Sequence, residues 1–204
     1  SETGNDSANG RTAGTAVKTF TRACNLARKG GGTIVITTAY EMPKTVYEVE
    51  HPDAPFVITT KDATTDYGAT GAKLIFAKAL RYVMKGDTTF ENITIEFENT
   101  LNVVANYNHI TFGEGVSTVN TGSGSEGVYV VGGYQYNQDG VMSDAPKYDA
   151  DSHITIKSGT YWAVSGFSRG SSTEEYTGTS HIVVDGGTIS TVYGAAINGS
   201  YAAN

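Results

Sequence analysis

An all-β solenoid, a parallel β-helix of short stacked coils behind an N-terminal capping helix, is the fold that this sequence predicts. Three observations predict it. First, eight short apolar runs recur: Thr33-Ile34-Val35-Ile36, Phe56-Val57-Ile58, Leu74-Ile75-Phe76, Ile93-Thr94-Ile95, Ile110-Thr111-Phe112, Val128-Tyr129-Val130, Ile154-Thr155-Ile156 and Ile182-Val183-Val184. Second, the last apolar residues of these runs (Ile36, Ile58, Phe76, Ile95, Phe112, Val130, Ile156 and Val184) follow one another at similar intervals, the spacing of about eight coils. Third, Ser152-His153-Ile154-Thr155-Ile156-Lys157-Ser158-Gly159-Thr160 aligns without a gap to Ser180-His181-Ile182-Val183-Val184-Asp185-Gly186-Gly187-Thr188. A unit this short cannot bury its own apolar face, so stacking on a neighbour is what makes the core.

The segment before Thr33 reads differently from the rest. Gly4-Asn5-Asp6-Ser7-Ala8-Asn9-Gly10 is rich in turn formers, and Thr15 is placed to cap a helix with Val17, Phe20, Cys24 and Ala27 on one face. Arg28 and Lys29 suit the negative end of the helix dipole, and Gly30-Gly31-Gly32 stops the helix. The apolar stripe needs a surface to cover, and the edge of the first coil is the nearest. The expected organisation is therefore a cap over 1–32 and coils over 33–204.

Within the coils, alternation sets the two faces of each strand. Ile154 and Ile156 point inward while His153, Thr155 and Lys157 point outward; Ile182 and Val184 repeat this against His181, Val183 and Asp185. A Gly-Thr corner then leads into a second strand, Tyr161-Trp162-Ala163-Val164 or Ile189-Ser190-Thr191-Val192-Tyr193, because glycine takes the positive φ of a sharp bend. The sequence ends at Gly199-Ser200-Tyr201-Ala202-Ala203-Asn204, directly after a full repeat. Solenoids are normally capped at both ends, so further coils beyond Asn204, in a longer chain, are expected.

Composition narrows the partners. With 14 Lys and Arg against 21 Asp and Glu, the net charge is -7. No basic stripe is present, which excludes the electrostatic footprint of a nucleic-acid binder. No apolar stretch reaches the roughly 20 residues of a membrane span. Cys24 is the sole cysteine, so no internal disulfide forms.

The order Gly-Asn-Asp-Ser-Ala-Asn-Gly, then Ala16-Val17-Lys18-Thr19-Phe20, then Gly31-Gly32-Thr33-Ile34-Val35-Ile36 resembles the opening of pectate-lyase-like, right-handed parallel β-helix domains of bacterial secreted proteins. Later, Asp185-Gly186-Gly187-Thr188-Ile189 and Val192-Tyr193-Gly194 resemble the repeats of adhesin-like bacterial surface proteins. The resemblance implies a right-handed β-helix and an extracellular or cell-surface location. It does not fix an activity, since that superfamily holds lyases, hydrolases and non-enzymatic adhesins.

Coil length is the clearest pointer to a site, because extra residues in a solenoid map to loops on one side. The two long insertions, 132–151 and 166–179, follow successive coils and gather Tyr134, Tyr136, Tyr148, Phe167 and Tyr176 with Asp139, Asp144, Asp149, Asp151, Arg169, Glu174 and Glu175. Aromatic faces beside carboxylates and an arginine suit a polysaccharide or cell-surface glycan. Tyrosines covering loop backbone, with solvated acids around them, explain the same composition. Trp162 either packs beneath an insertion or joins the ligand face.

Asp139, Asp144, Asp149 and Asp151 also raise calcium as a cofactor, but their spacing does not match an EF-hand loop, and a solvated acidic loop is the simpler account. In the resembled superfamily, lyases use a Lys or Arg base with calcium, and hydrolases use paired aspartates. That implies Lys147 or Arg169 as base and Asp149 with Asp151 as metal holders, yet no motif fixes these roles. His109, His153 and His181 share an Asn/Ser-His-Ile context. A repeated outward position explains them more simply than a metal, since two histidines without a third ligand leave a transition-metal site incomplete. The leading expectation is thus an adhesive or glycan-binding module; a lyase or hydrolase is its rival, and a structural stalk, favoured by the regular coils at 58–130, is the third.

Overall fold

The computed structural model describes residue 1 and residues 3–27, 31–42, 55–76, 81–124, 126–135, 148–169 and 176–197. They form an N-terminal helix and a parallel β-solenoid, all of whose strand pairs are parallel. No helix among them is long and apolar enough to cross a membrane. Arg28, Lys29 and Gly30 of the expected helix end, and the final stretch from Gly199 to Asn204, lie outside the described residues.

The helix α1 spans Phe20–Ala27, and Thr19, not Thr15, caps it. The Arg22 amide donates to the Thr19 hydroxyl at 3.2 Å, while the Lys18 and Thr19 amides donate to one Asp6 carboxylate oxygen at 2.8 and 2.9 Å. The chain at Ala16 is extended (φ -60°, ψ 142°), which keeps Thr15 out of the helix; its hydroxyl sits against that of Thr12 in a short 3-10 turn instead. Val17 precedes the helix and so is not part of the stripe, whose other three residues are as expected. Phe20 and Cys24 are buried together with Ile34 and Ile36 of the first coil, and Ala23 and Ala27 pack against them.

Coil by coil, the strands are β1 (Gly32–Val35) and β2 (Ala39–Glu41); β3 (Phe56–Thr59), β4 (Lys73–Phe76) and β5 (Arg81–Val83); β6 (Thr88–Glu91), β7 (Thr94–Phe97) and β8 (Leu101–Val104). Then come β9 (His109–Phe112), β10 (Ser117–Asn120), β11 (Val128–Val131) and β12 (Tyr134–Gln135); β13 (Ser152–Ile156), β14 (Thr160–Ser165) and β15 (Ser168–Arg169); β16 (Ser180–Val184), β17 (Thr188–Tyr193) and β18 (Ala196–Ile197). They stack into a first sheet β1-β3-β6-β9-β13-β16, a second β2-β4-β7-β10, a third β5-β8-β11-β14-β17 and a short fourth β12-β15-β18.

The described residues therefore make six coils, where the spacing of apolar runs suggested about eight. The runs lie on different sides of the coil: Leu74-Ile75-Phe76 and Ile93-Thr94-Ile95 belong to the second sheet and Val128-Tyr129-Val130 to the third. The first sheet's third rung, Thr88–Glu91, offers only Phe90 as a large apolar residue and makes no run. Register along that sheet runs Ile34↔Ile58↔Phe90↔Phe112 and Ile110↔Ile154↔Ile182. The coils are thus unequal in length, and the one from Ile110 to Ile154 is the longest.

Inward residues build one continuous core. Ile58, Leu74, Ile95, Ile110, Phe112 and Ile156 are at most 1% exposed. The Gly-Thr corners behave as expected, with φ of +94° at Gly159 and +77° at Gly187. Val184 departs from expectation. It holds the same row as Ile156, but β16 belongs to the last described coil, and Val184 and Val192 are each 49% exposed.

Candidate functional site

Two groups of outward side chains converge on the coils with the long insertions. The first lies on the outer face of the third sheet. Past Ser165 the chain turns at Gly166 and Phe167 into the short fourth sheet, which folds back so that Ile197 packs with Tyr129 and Ala163 outside the main core. The same fold brings the Arg169 guanidinium 3.7 Å above the Tyr129 ring, and Nη1 donates to Asn102 Oδ1 at 2.7 Å. Asn102, Tyr129 and Ala163 are register partners on three successive rungs. Burial raises the Tyr129 phenol above its ordinary pKa, and Arg169 opposes that shift.

Trp162 stands at the edge of this group. Tyr161 and Val164 both enter the core, so β14 carries a corner between them and turns Trp162 outward, 41% exposed. Gly127 lies against the Trp162 Cβ on the preceding rung, and a Cβ there would sit 3.4 Å from it. Next to Gly127, the Glu126 carboxylate accepts the Thr100 hydroxyl at 2.7 Å, and on the following rung Tyr193 is 37% exposed.

The other expected site residues scatter. Tyr136, Asp139, Asp144, Lys147, Glu174 and Glu175 lie outside the described residues, and Tyr134 opens β12 beside Ser168. Tyr176 is 5% exposed, its ring stacked on Phe167 at 4.8 Å and tilted against Tyr148 at 5.2 Å. That stack serves packing and leaves the Tyr176 face closed to a ligand. Asp149 is exposed, whereas Asp151 accepts the Thr179 amide at 2.6 Å. Arg169, the candidate base, is held between Asn102 and Tyr129. Sequence reasoning missed Asn102, Glu126, Tyr129 and Tyr193, because their proximity comes from register across coils of unequal length.

The second group is the histidine ladder on the first sheet. His109, His153 and His181 are register partners; ring centroids are 4.1 Å apart in the first pair and 4.6 Å in the second, whose planes are 3° apart. Below the ladder, Asp87 accepts the His109 amide at 2.8 Å. Partial burial, then the neighbouring imidazoles, lower the His153 pKa from its ordinary value. Ligand-capable atoms of Asp151, His153 and His181 all lie within 4.8 Å of one another. The limbs that deliver them run side by side, since the Thr177 and Gly178 amides both donate to the Tyr148 carbonyl.

A separate groove of about 710 Å³ lies between the N-terminal segment, α1 and β1, bordered by Arg11, Arg22, Leu26 and Tyr67, away from both groups. No protein-family model, no curated protein and no solved structure matches the chain.

Proposed function

We propose that this chain is a glycan-binding or adhesive β-solenoid module of a secreted or cell-surface bacterial protein, with its binding surface on the outer face of the third sheet. The observation that carries this reading is Trp162, held outward by a rigid strand and 41% exposed, next to the rungs that seat Arg169 on Tyr129. An exposed indole on a strand loses little conformational freedom when a sugar ring stacks on it, and Glu126 with Arg169 supplies polar partners for hydroxyls. The resemblance of the opening segment and the last repeats to pectate-lyase-like and adhesin-like domains supports both the location and the ligand class. The acidic charge supports a neutral or basic glycan over a polyanion.

A glycan array probed with the purified chain tests this, with unsaturated-product absorbance followed in parallel. Saturable binding that weakens in Trp162→Ala supports the proposal. Turnover would replace it with a lyase, and the absence of both would leave a structural stalk.

A further inference from the structure

We propose that Asp151, His153 and His181 form a binding site for a divalent transition-metal ion of the zinc class, joining the fifth and sixth coils on the outer face of the first sheet. Two imidazoles and one carboxylate are a donor set that such ions accept, with a coordination position left for water. His153 and His181 alone would be incomplete, and Asp151 supplies the third ligand. It stands two residues before His153 on the same coil, where an extended chain returns to the same side.

The site is built, not merely crowded. The Thr179 amide holds one Asp151 carboxylate oxygen at 2.6 Å, which fixes the group beside the ladder. His109 backs His153 at a centroid distance of 4.1 Å and holds its ring over the sheet. The register His153↔His181 sets the third donor one coil away. Four-coordinate zinc, with bonds of about 2.0–2.1 Å, needs donor atoms about 3.3 Å apart. The donors here lie within 4.8 Å, and His181 and Asp151 are exposed, so side-chain rotation closes the gap without moving a strand. Because Asp151 and His153 belong to one coil and His181 to the next, a bound ion staples the last described rung to its neighbour. An ion that binds only the folded chain raises its stability by mass action. This site does not depend on the glycan reading.

Isothermal titration of the untagged chain with ZnCl₂ tests the proposal, with Co²⁺ absorbance as the spectroscopic readout and thermal unfolding as the third. One equivalent of Zn²⁺ is expected, with a tetrahedral-type Co²⁺ spectrum and a Tm that rises with Zn²⁺ concentration. His181→Ala and Asp151→Asn should each weaken binding at least tenfold and remove the Tm rise. Both residues are exposed, so these variants fold; Asp185→Asn, also exposed and outside the cluster, should keep the one-to-one stoichiometry. Absence of saturable binding of Zn²⁺ and Co²⁺, or unchanged titrations in His181→Ala and Asp151→Asn, would overturn it.

Discussion

Phe90 and Phe112 stack on consecutive rungs of the core, with ring centroids 5.3 Å apart and planes 13° from parallel. Phe112 also meets Tyr161 of the next coil edge to face at 4.9 Å, and Phe90 meets Tyr82 of the previous one at 6.1 Å. One aromatic column thus couples four coils. In a solenoid, whose stability is a sum of coil and interface terms, such a column carries cooperativity along the stack.

Truncating that column should be costly. Phe112 is fully buried, so Phe112→Ala is expected to lower unfolding free energy by about 3–5 kcal/mol, and Phe112→Leu by much less. Urea titrations of the two variants decide it; a loss below about 1 kcal/mol for the alanine variant would mean that the coils unfold independently.

Position along the stack should matter as much as the inward direction. Ile156 is 0% exposed between two coils, while its register partner Val184 is 49% exposed. Ile156→Asp is expected to unfold the chain, since a buried, unpaired carboxylate costs several kcal/mol. Val184→Asp and Thr155→Asp should leave it folded. Equal midpoints for the Ile156 and Val184 variants would contradict this burial contrast.

Gly132, Gly166 and Gly194 hold equivalent places on three coils, and they are not equivalent in space. A Cβ at Gly166 would run into the Ser180 hydroxyl and the Gly194 carbonyl, whereas one at Gly194 meets nothing within 4 Å. Gly166→Ala is therefore expected to lower Tm by several degrees, roughly what a core strain of 1–3 kcal/mol produces, and Gly194→Ala to leave it unchanged. Circular dichroism melts of the pair are sufficient.

The cap should be acid-sensitive through Asp6. Hydrogen bonds from the Thr19 amide and hydroxyl and from the Lys18 amide lower its pKa below the ordinary carboxylate value of 3.8. The unfolded chain then binds the proton more readily, so the contribution is fully present above about pH 4 and is lost as pH falls through the folded-state value. Asp6→Asn is expected to lower stability at neutral pH and to flatten this acid-side loss. Matching pH profiles for the two proteins would show that the bonds to Thr19 do not stabilise the cap.

Alternation and the repeated Ser-His-Ile unit made the solenoid legible, because Ile154, Ile156 and Ile182 state their faces within a few residues. The coil count was not legible, because a run such as Leu74-Ile75-Phe76 does not say which side of the coil it lines. Several corners also escaped notice because Asn92, Asn99 and Asn106 turn them with positive φ where glycine was the expected signal. The histidine ladder could be seen in Asn/Ser-His-Ile, but its partnership with Asp151 depends on how two long insertions return, which spacing alone does not encode. Arg169 shows the same limit. Its partners Asn102 and Tyr129 lie on earlier coils, far back in the sequence, and meet it only through register.

Arg169 also separates binding from packing on the proposed glycan face. Its guanidinium satisfies Asn102, which is 6% exposed, and its central carbon lies 3.7 Å from the centroid of the Tyr129 ring. Arg169→Ala should therefore cost about 1–3 kcal/mol of stability, because a buried amide oxygen loses its donor. Arg169→Lys keeps the charge and loses the guanidinium that reaches both Asn102 and the Tyr129 ring, so an intermediate loss is expected. Trp162→Ala strands no buried polar group and should shift the melting curve less than Arg169→Ala does. If the surface binds glycan, Trp162→Ala should still weaken affinity for an array hit by about 1–3 kcal/mol, the size of one aromatic contact at a hot spot. Isothermal titration and melts of the three variants can be read together. Affinity that falls only in proportion to stability would assign this cluster to packing, whereas affinity lost in Trp162→Ala out of proportion to its Tm shift can come only from a ligand that touches the indole.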